Sequence, residues 1–249
     1  MIDAIYCISL ERMKDRRTHM VEFLSKIDFC PVYFFDAVDG LDYDWSDFYK
    51  EGIYEYKNWK VAKEHCKVYF SDDVFVDVTG FWDRDITKGE MGCAVSHYSA
   101  WKHAYENGYN NVLIFEDDVV LDASNMDLFT DCLNIFLKFI ENNLYDVFYF
   151  GGSVIKDGED INENIRRVLF MYCAHAYVLS NSAINVLLKA NYLSNVIVND
   201  EFLPSFFMPH PREDVRNLYY RERVLNAFRL KKFVFWQDDN IGSQTTLIR

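Results

Sequence analysis

The chain has 249 residues, half of them hydrophobic and 17% aromatic, with only 10 Gly and 4 Pro. So much core material and so little linker composition exclude a disordered or low-complexity protein. Lys and Arg number 26 against 39 Asp and Glu, a formal net charge of −13, and with no basic stripe to release counterions the chain is not expected to bind nucleic acid.

No apolar run approaches the roughly 20 residues of a membrane span. The first residues lack a basic leader and a cleavage site, so a soluble protein is expected, cytoplasmic rather than lumenal. Six cysteines (Cys7, Cys30, Cys66, Cys93, Cys132, Cys173) lie far apart without a C-x-x-C pair. That spacing argues against a structural zinc site and for reduced thiols, with Cys7, Cys93 and Cys173 in runs typical of a core.

In chain order, the apolar run over 4–10 reads as a buried strand. Asp15 then stands as N-cap of a helix carrying Met20, Phe23, Leu24 and Ile27. A second strand over 32–35 ends at Asp36 and a turn to Gly40. Strand, helix, strand opens an α/β sheet with right-handed crossovers. Residues 41–86 mix acids and aromatics without a period and read as an irregular insertion, with a strand over 74–78. Gly89 to Gly92 open a helix with Ala94, Tyr98, Trp101 and Tyr105 on one face, stopping at Gly108. Strands follow over 112–115, over 147–150 closed by Gly151-Gly152, over 174–179, and last over 233–236. Helices lie between them over 126–144, with Phe129, Leu133, Phe136, Leu137 and Ile140 inward, and over 182–190. No repeat or linker interrupts this order, so one domain over 1–249 is expected.

Open α/β sheets hold ligands beyond the carboxyl ends of their strands. The leading candidate there is Glu116-Asp117-Asp118. Three adjacent carboxylates repel unless a cation compensates them, and an oxygen-only donor set suits Mn²⁺ or Mg²⁺. In extended backbone Glu116 and Asp118 point to one side and Asp117 to the other. One pair would then face a metal diphosphate and the third acid a ribose or sugar hydroxyl; the alternative is a solvated turn. Asp42, Asp44, Asp72, Asp73, Asp83 and Asp85 share this acidic character but fall in the irregular segment, where surface acids are expected.

Arg12 and Arg16 sit at the start of the first helix, where backbone amides and guanidinium groups suit phosphates; an exposed basic turn is the other reading. Lys88 to His97 opens the next long helix with small residues that allow close backbone approach and would aim amides toward Glu116. Asp200 and Glu201 stand in an apolar setting, where one of them could take the proton of an incoming hydroxyl; capping of the following segment is the alternative.

Taken together, four motifs in order resemble glycosyltransferase family 25. They are Ile8-Ser9-Leu10-Glu11-Arg12 with Asp15-Arg16-Arg17; Gly89-Glu90-x-Gly92-Cys93-x-x-Ser96-His97 with Trp101; Leu113 to Val119; and Ala176 to Ser180. This family includes bacterial lipooligosaccharide galactosyltransferases and the domains that galactosylate collagen hydroxylysine. Asp200 to Pro204 followed by His210-Pro211 is most similar to the collagen-modifying branch, and Trp236 to Ser243 meets that branch's tail pattern in part.

The resemblance implies a GT-A type nucleotide-sugar transferase fold with a mostly parallel central sheet flanked by helices. It also implies a UDP-sugar donor, Mn²⁺ (or Mg²⁺) and inversion at the anomeric carbon. Carried over by position, Asp118 and Glu116 would hold the metal and Asp117 a ribose or sugar hydroxyl. Ser9, Leu10, Arg12, Arg16, Asp36 and Gly40 would line the uridine and phosphate side, with Gly89, Glu90, Gly92, Ser96, His97 and Gln237 also on the donor side. Asp200 or Glu201 would be the base. The implied activity is transfer of galactose or glucose to an acceptor hydroxyl, hydroxylysine of a collagen-like protein or, alternatively, a glycan. A non-catalytic UDP-sugar-binding protein is the remaining alternative.

Overall fold

Strand β1 (Ala4–Ser9) buries all six of its side chains, so both of its faces need cover. The computed structural model supplies it and describes residues 1–60, 84–120, 126–210, 212–219 and 225–237. On one face lies α1 (Lys14–Leu24), whose Met20, Phe23 and Leu24 are buried. Its N-cap is Met13, and Asp15, expected to cap it, sits inside the first turn, where a carboxylate meets the positive end of the helix. β2 (Val32–Asp36) and β3 (Asn111–Glu116) both pair parallel to β1.

The sheet is completed by β5 (Val147–Asp160), β6 (Ile165–Ser180) and β7 (Ala227–Leu230), and runs in the order β2-β1-β3-β6-β5-β7. β6 is antiparallel to β3, β5 and β7, whereas β5 and β7 pair parallel. Five strands therefore run one way and β6 alone is reversed, which is the mostly parallel architecture expected. Alternate residues serve opposite faces, as a period of two requires. Tyr6, Ile8, Val112, Ile114 and Tyr177 pack with α3 (Lys88–Glu106) and α5 (Asn181–Leu188). Ile5, Cys7, Leu113, Phe115 and Val178 pack with α1 and α4 (Met126–Ile140).

Several boundaries differ from the sequence reading. Gly151-Gly152 does not close β5; the strand continues to Asp160 through register shifts that begin there. A Cβ on Gly151 would lie 2.5 Å from His175 Nε2 and 2.6 Å from the Phe235 carbonyl, so the missing side chain makes room for a bulge instead of marking an end. β7 was not anticipated. Its Arg229 breaks the apolar pattern, yet it is buried and bonded to Asp157 at 2.7 and 2.9 Å. The strand expected over 233–236 reduces to β8 (Trp236–Gln237), antiparallel to β4 (Val119–Val120), with Phe235 bridging Gly151.

In α3 the inner face carries Ala104, while Tyr105, expected there, is exposed. α2 (Trp45–Lys50) forms within the irregular stretch; the strand expected over 74–78 lies outside the described residues. The short helices α6 (Asn199–Phe202) and α7 (Glu213–Tyr219) follow α5. Among the described residues no helix is long and apolar enough to cross a membrane. Five cysteines are described and all are free thiols; Cys7 and Cys132 are buried, whereas Cys93 and Cys173, expected in the core, are partly open.

Candidate active site

Because Ile8 of β1 faces Glu116 of β3 in register, the carboxyl ends of the two strands meet. Ser9 Oγ donates to Asp117 Oδ2 at 2.8 Å, and Arg16, reaching over from α1, bonds Asp117 Oδ1 at 3.1 Å. The same guanidinium lies 3.5 Å from Asp118 Oδ2. Ser9, Arg16 and Asp117 are all buried, so Asp117 is engaged by its own chain where a sugar contact was expected. The remaining basic residues turn elsewhere: Arg12 pairs with Asp39, and Arg17 reaches Asp36 at 2.5 Å. Leu10 is half-buried at the turn between β1 and α1.

The opening of α3 is engaged in the same way. Glu90 accepts from the Thr87 amide at 2.8 Å and from Arg84 at 2.6 and 2.8 Å, a capping box backed by a fork of charge-assisted bonds. A Cβ on Gly92 would lie 2.4 Å from the Val38 carbonyl, and one on Gly40 would lie 1.7 Å from the Lys88 carbonyl and 2.9 Å from the Gly89 nitrogen. Ser96 Oγ donates to the Gly92 carbonyl at 2.6 Å and accepts from the Val38 amide at 2.8 Å. Gly40, Gly89, Gly92 and Ser96 thus let α3 and the turn after β2 touch backbone to backbone.

What reaches Glu116 from α3 is a side chain, His97, instead of the amides of the first turn. One donor in this series of hydrogen bonds is fixed. Trp101 Nε1 can only donate, and it does so to Tyr177 Oη at 3.0 Å. The Tyr177 hydroxyl and His97 Nδ1 share a hydrogen bond at 2.7 Å, and His97 Nε2 shares another with Glu116 Oε1 at 3.0 Å, the ring tautomer setting which atom donates in each. Burial pushes His97 down to about 4, so the ring is neutral. On its other oxygen Glu116 accepts from Gln237 Nε2 at 3.3 Å, and that nitrogen also lies 3.5 Å from Asp118 Oδ1. Pairing of Val119 with Gln237 across β4 and β8 puts the amide there.

Burial, then the charge of Asp117, raises Glu116 to about 8. Burial, then Glu116, raises Asp118 to about 7, with Arg16 opposing both shifts. Two half-neutralised carboxylates grouped around one amide nitrogen are a hard oxygen donor set that a divalent cation would relieve, so Glu116 and Asp118 fit Mn²⁺ or Mg²⁺. A second donor set adjoins it. Cys93 Sγ, His97 and a Glu116 oxygen lie within 4.8 Å of one another.

Asp200 and Glu201, adjacent in α6, have different surroundings. Glu201 is buried, accepts from the Tyr172 hydroxyl and lies 2.8 Å from His210 Nε2. Asp200 is only partly buried and accepts from the Ala174 amide at 3.4 Å. Burial and the charge of Glu116 raise it to about 6, against backbone bonds from Cys173 and Ala174. Cys173 adopts φ +57, a left-handed conformation uncommon outside glycine. Sequence reasoning missed Tyr149, whose buried hydroxyl has no partner among the described residues and is pushed up by burial and Asp200. It also missed the bonding of Tyr177 and Cys93's place beside the acids. Both tyrosines sit in apolar strands, and only the pairing of Tyr149 with Tyr177 across β5 and β6 would have drawn them together. Asp42, Asp44 and Asp85 are exposed, Asp44 as N-cap of α2, and Asp72, Asp73 and Asp83 lie outside the described residues.

Fold and site together define a mixed α/β protein with carboxylates gathered at the ends of its central strands. Residues 2–203 match the family model described as "Glycosyltransferase family 25 (LPS biosynthesis protein)", and the chain belongs to that family. It is 29% identical over 236 residues to a "Probable inactive glycosyltransferase 25 family member 3" of Bos taurus, covering 91% of this chain and 35% of the relative. It is 27% identical over 247 residues to "Procollagen galactosyltransferase 2" of Homo sapiens, covering 96% and 36%. A "Glycosyltransferase 25 family member" of Anopheles gambiae is 25% identical over 248 residues, covering 96% and 37%. The chain therefore spans about a third of the length of these relatives.

Proposed function

We propose that the chain transfers a hexose, galactose or glucose, from a uridine diphosphate sugar to an acceptor hydroxyl with inversion at the anomeric carbon. The observation that carries this reading is the gathering of Glu116 and Asp118 from the end of β3 with Asp200 from α6 in one acidic centre, where, after burial, the charge of Glu116 acts most on Asp200. Glu116 and Asp118 would hold Mn²⁺ or Mg²⁺, which when bound offsets the charge developing on a departing diphosphate. Arg16 backs Asp118 and adds positive charge to the same side.

Asp200 would accept the acceptor proton as the new glycosidic bond forms. At about 6 it is ionised at neutral pH yet more basic than an ordinary carboxylate, the compromise a general base requires. Both oxygens of Glu201 are engaged by Tyr172 and His210, which favours Asp200 of the pair. The acceptor class we favour is a lysine-rich, collagen-like peptide, drawn by the net charge of −13 and by the name of the procollagen relative. A glycan is the alternative that the family description offers.

Replacing Asp200 with Asn should leave UDP-sugar binding intact and lower the transfer rate by about 10²-fold or more. Radiolabelled transfer together with a thermal-shift titration of UDP-galactose and UDP-glucose, with and without Mn²⁺, would check it. Full transfer by the variant would remove Asp200 as the base. A second reading, a protein that binds the donor without turnover, is favoured by relatives named inactive. It expects the same metal-dependent shift and no product from any acceptor.

A further inference from the structure

We propose that Cys93, His97 and Glu116 form a binding site for a soft divalent cation of the zinc type, distinct in its donors from the oxygen pair Glu116 and Asp118. Cys93 and His97 are four residues apart on α3, so their side chains project from the same face one turn apart. Both meet Glu116 at the end of β3, with all three donor atoms within 4.8 Å and His97 Nε2 already 3.0 Å from Glu116 Oε1. Zinc at its usual bond lengths of about 2.0 to 2.3 Å would draw these atoms slightly closer, a shift within reach of Cys and Glu rotamers. A sulfur, an imidazole and a carboxylate select zinc, or its heavier congener cadmium, over Mn²⁺ and Mg²⁺. Three protein ligands leave the fourth position to water.

The surroundings suit such an ion. Cys93 and Glu116 are partly open to solvent while His97 is buried, which provides a route in and a rigid ligand at the base. Burial first, and then the acids Glu116, Asp200, Glu90 and Asp118, push the Cys93 thiol up; a cation is what the field of those acids attracts. Binding through Nε2 releases the thiol proton, and the proton of a neutral Glu116, to solvent and holds the imidazole proton on Nδ1, where Tyr177 Oη, 2.7 Å away, accepts it. The hydroxyl is then the outer partner that orients a ligating histidine. Glu116 belongs to both donor sets, so the soft ion and the hard one compete for it. The soft-ion site itself stands on geometry that does not depend on sugar transfer.

The test is a cadmium titration of the full chain under reducing, chelator-free conditions, followed by the ultraviolet thiolate-to-cadmium charge-transfer band. One equivalent should develop the band in the unaltered protein and in Asp118→Asn, and that band should be lost in Cys93→Ser with its thermal unfolding midpoint unchanged. Glu116→Gln and His97→Gln should each weaken cadmium binding by about ten- to a hundredfold. The proposal is overturned by the absence of a band, by a band that persists in Cys93→Ser, or by one that disappears in Asp118→Asn. Unchanged affinity in both Glu116→Gln and His97→Gln would likewise overturn it. Failure of sugar transfer with the cadmium response intact would count against the transferase reading alone.

Discussion

Two neighbouring acids, Asp200 and Glu201, have different partners in this protein. Glu201 joins β6 to the segment after α6 through Tyr172 and His210, whereas Asp200 holds a backbone amide and faces the other carboxylates. Substituting Glu201 with Gln keeps the shape but weakens two buried bonds to a charged group, so it should cost about 1–3 kcal/mol of stability while reducing transfer far less than Asp200→Asn. Chemical denaturation paired with initial rates would distinguish the two variants; equal losses of rate would mean that Glu201 also serves the reaction. Both candidates were visible in the sequence because acids in an apolar stretch are conspicuous. The difference in their surroundings was not, since it depends on Tyr172 and His210, which approach from other parts of the chain.

Helix α3 and the turn after β2 meet through backbone atoms that have no side chain to yield. A methyl group at Gly92 would press on the Val38 carbonyl at 2.4 Å and the Gly40 nitrogen at 2.8 Å, and backbone cannot rotate out of the way. Gly92→Ala should therefore destabilise the protein by about 1–3 kcal/mol, seen as a lowered thermal midpoint, and Gly40→Ala, with its 1.7 Å contact, by more. A thermal midpoint unaffected by Gly40→Ala would refute this packing. At α5 the Ser180 hydroxyl accepts from the Ala183 amide at 3.1 Å, so Ser180→Ala should cost about 1 kcal/mol through the lost cap, measurable by urea denaturation. Helix and strand cores were largely legible because their apolar periods are strong. Boundaries were less so: β5 passes through two glycines by bulging, and β7 tolerates Arg229 because Asp157 neutralises it.

Across the whole molecule the acidic centre makes stability depend on pH in an unusual direction. Glu116, Asp118 and Asp200 titrate at about 8, 7 and 6 in the folded chain, all above the usual carboxylate range. The native state thus holds protons that the unfolded state has released, and stability falls as pH rises toward 8. His97 and His175, both pushed down to about 4 by burial, act oppositely, since the unfolded imidazoles hold more protons until about pH 6.5. Of these groups only the carboxylates still titrate between about pH 6.5 and 8, so the thermal midpoint of metal-free protein should decline there. Glu116→Gln should flatten that slope, and Mn²⁺ should lift the curve most at its alkaline end. A midpoint that rises over this window in metal-free protein would contradict the burial of these acids.

The alternation of apolar and polar residues along the chain was enough to determine an α/β sheet, its helix-covered faces and the acidic end of β3, because those features depend on neighbours in sequence. The family could also be read there, from four short motifs in order. What the tertiary structure alone decided is which partners surround each motif residue. Asp117, Glu90, Gly92 and Ser96, expected to face a donor, are held by Ser9, Arg84, Val38 and their own helix. The residues around Glu116 come from β6, α3 and β8, with Gln237 lying 121 positions from the carboxylate it touches. Such partners are joined by the reversed strand β6 and the pairing of β8 with β4, and strand pairing over that distance leaves no periodic trace in the chain.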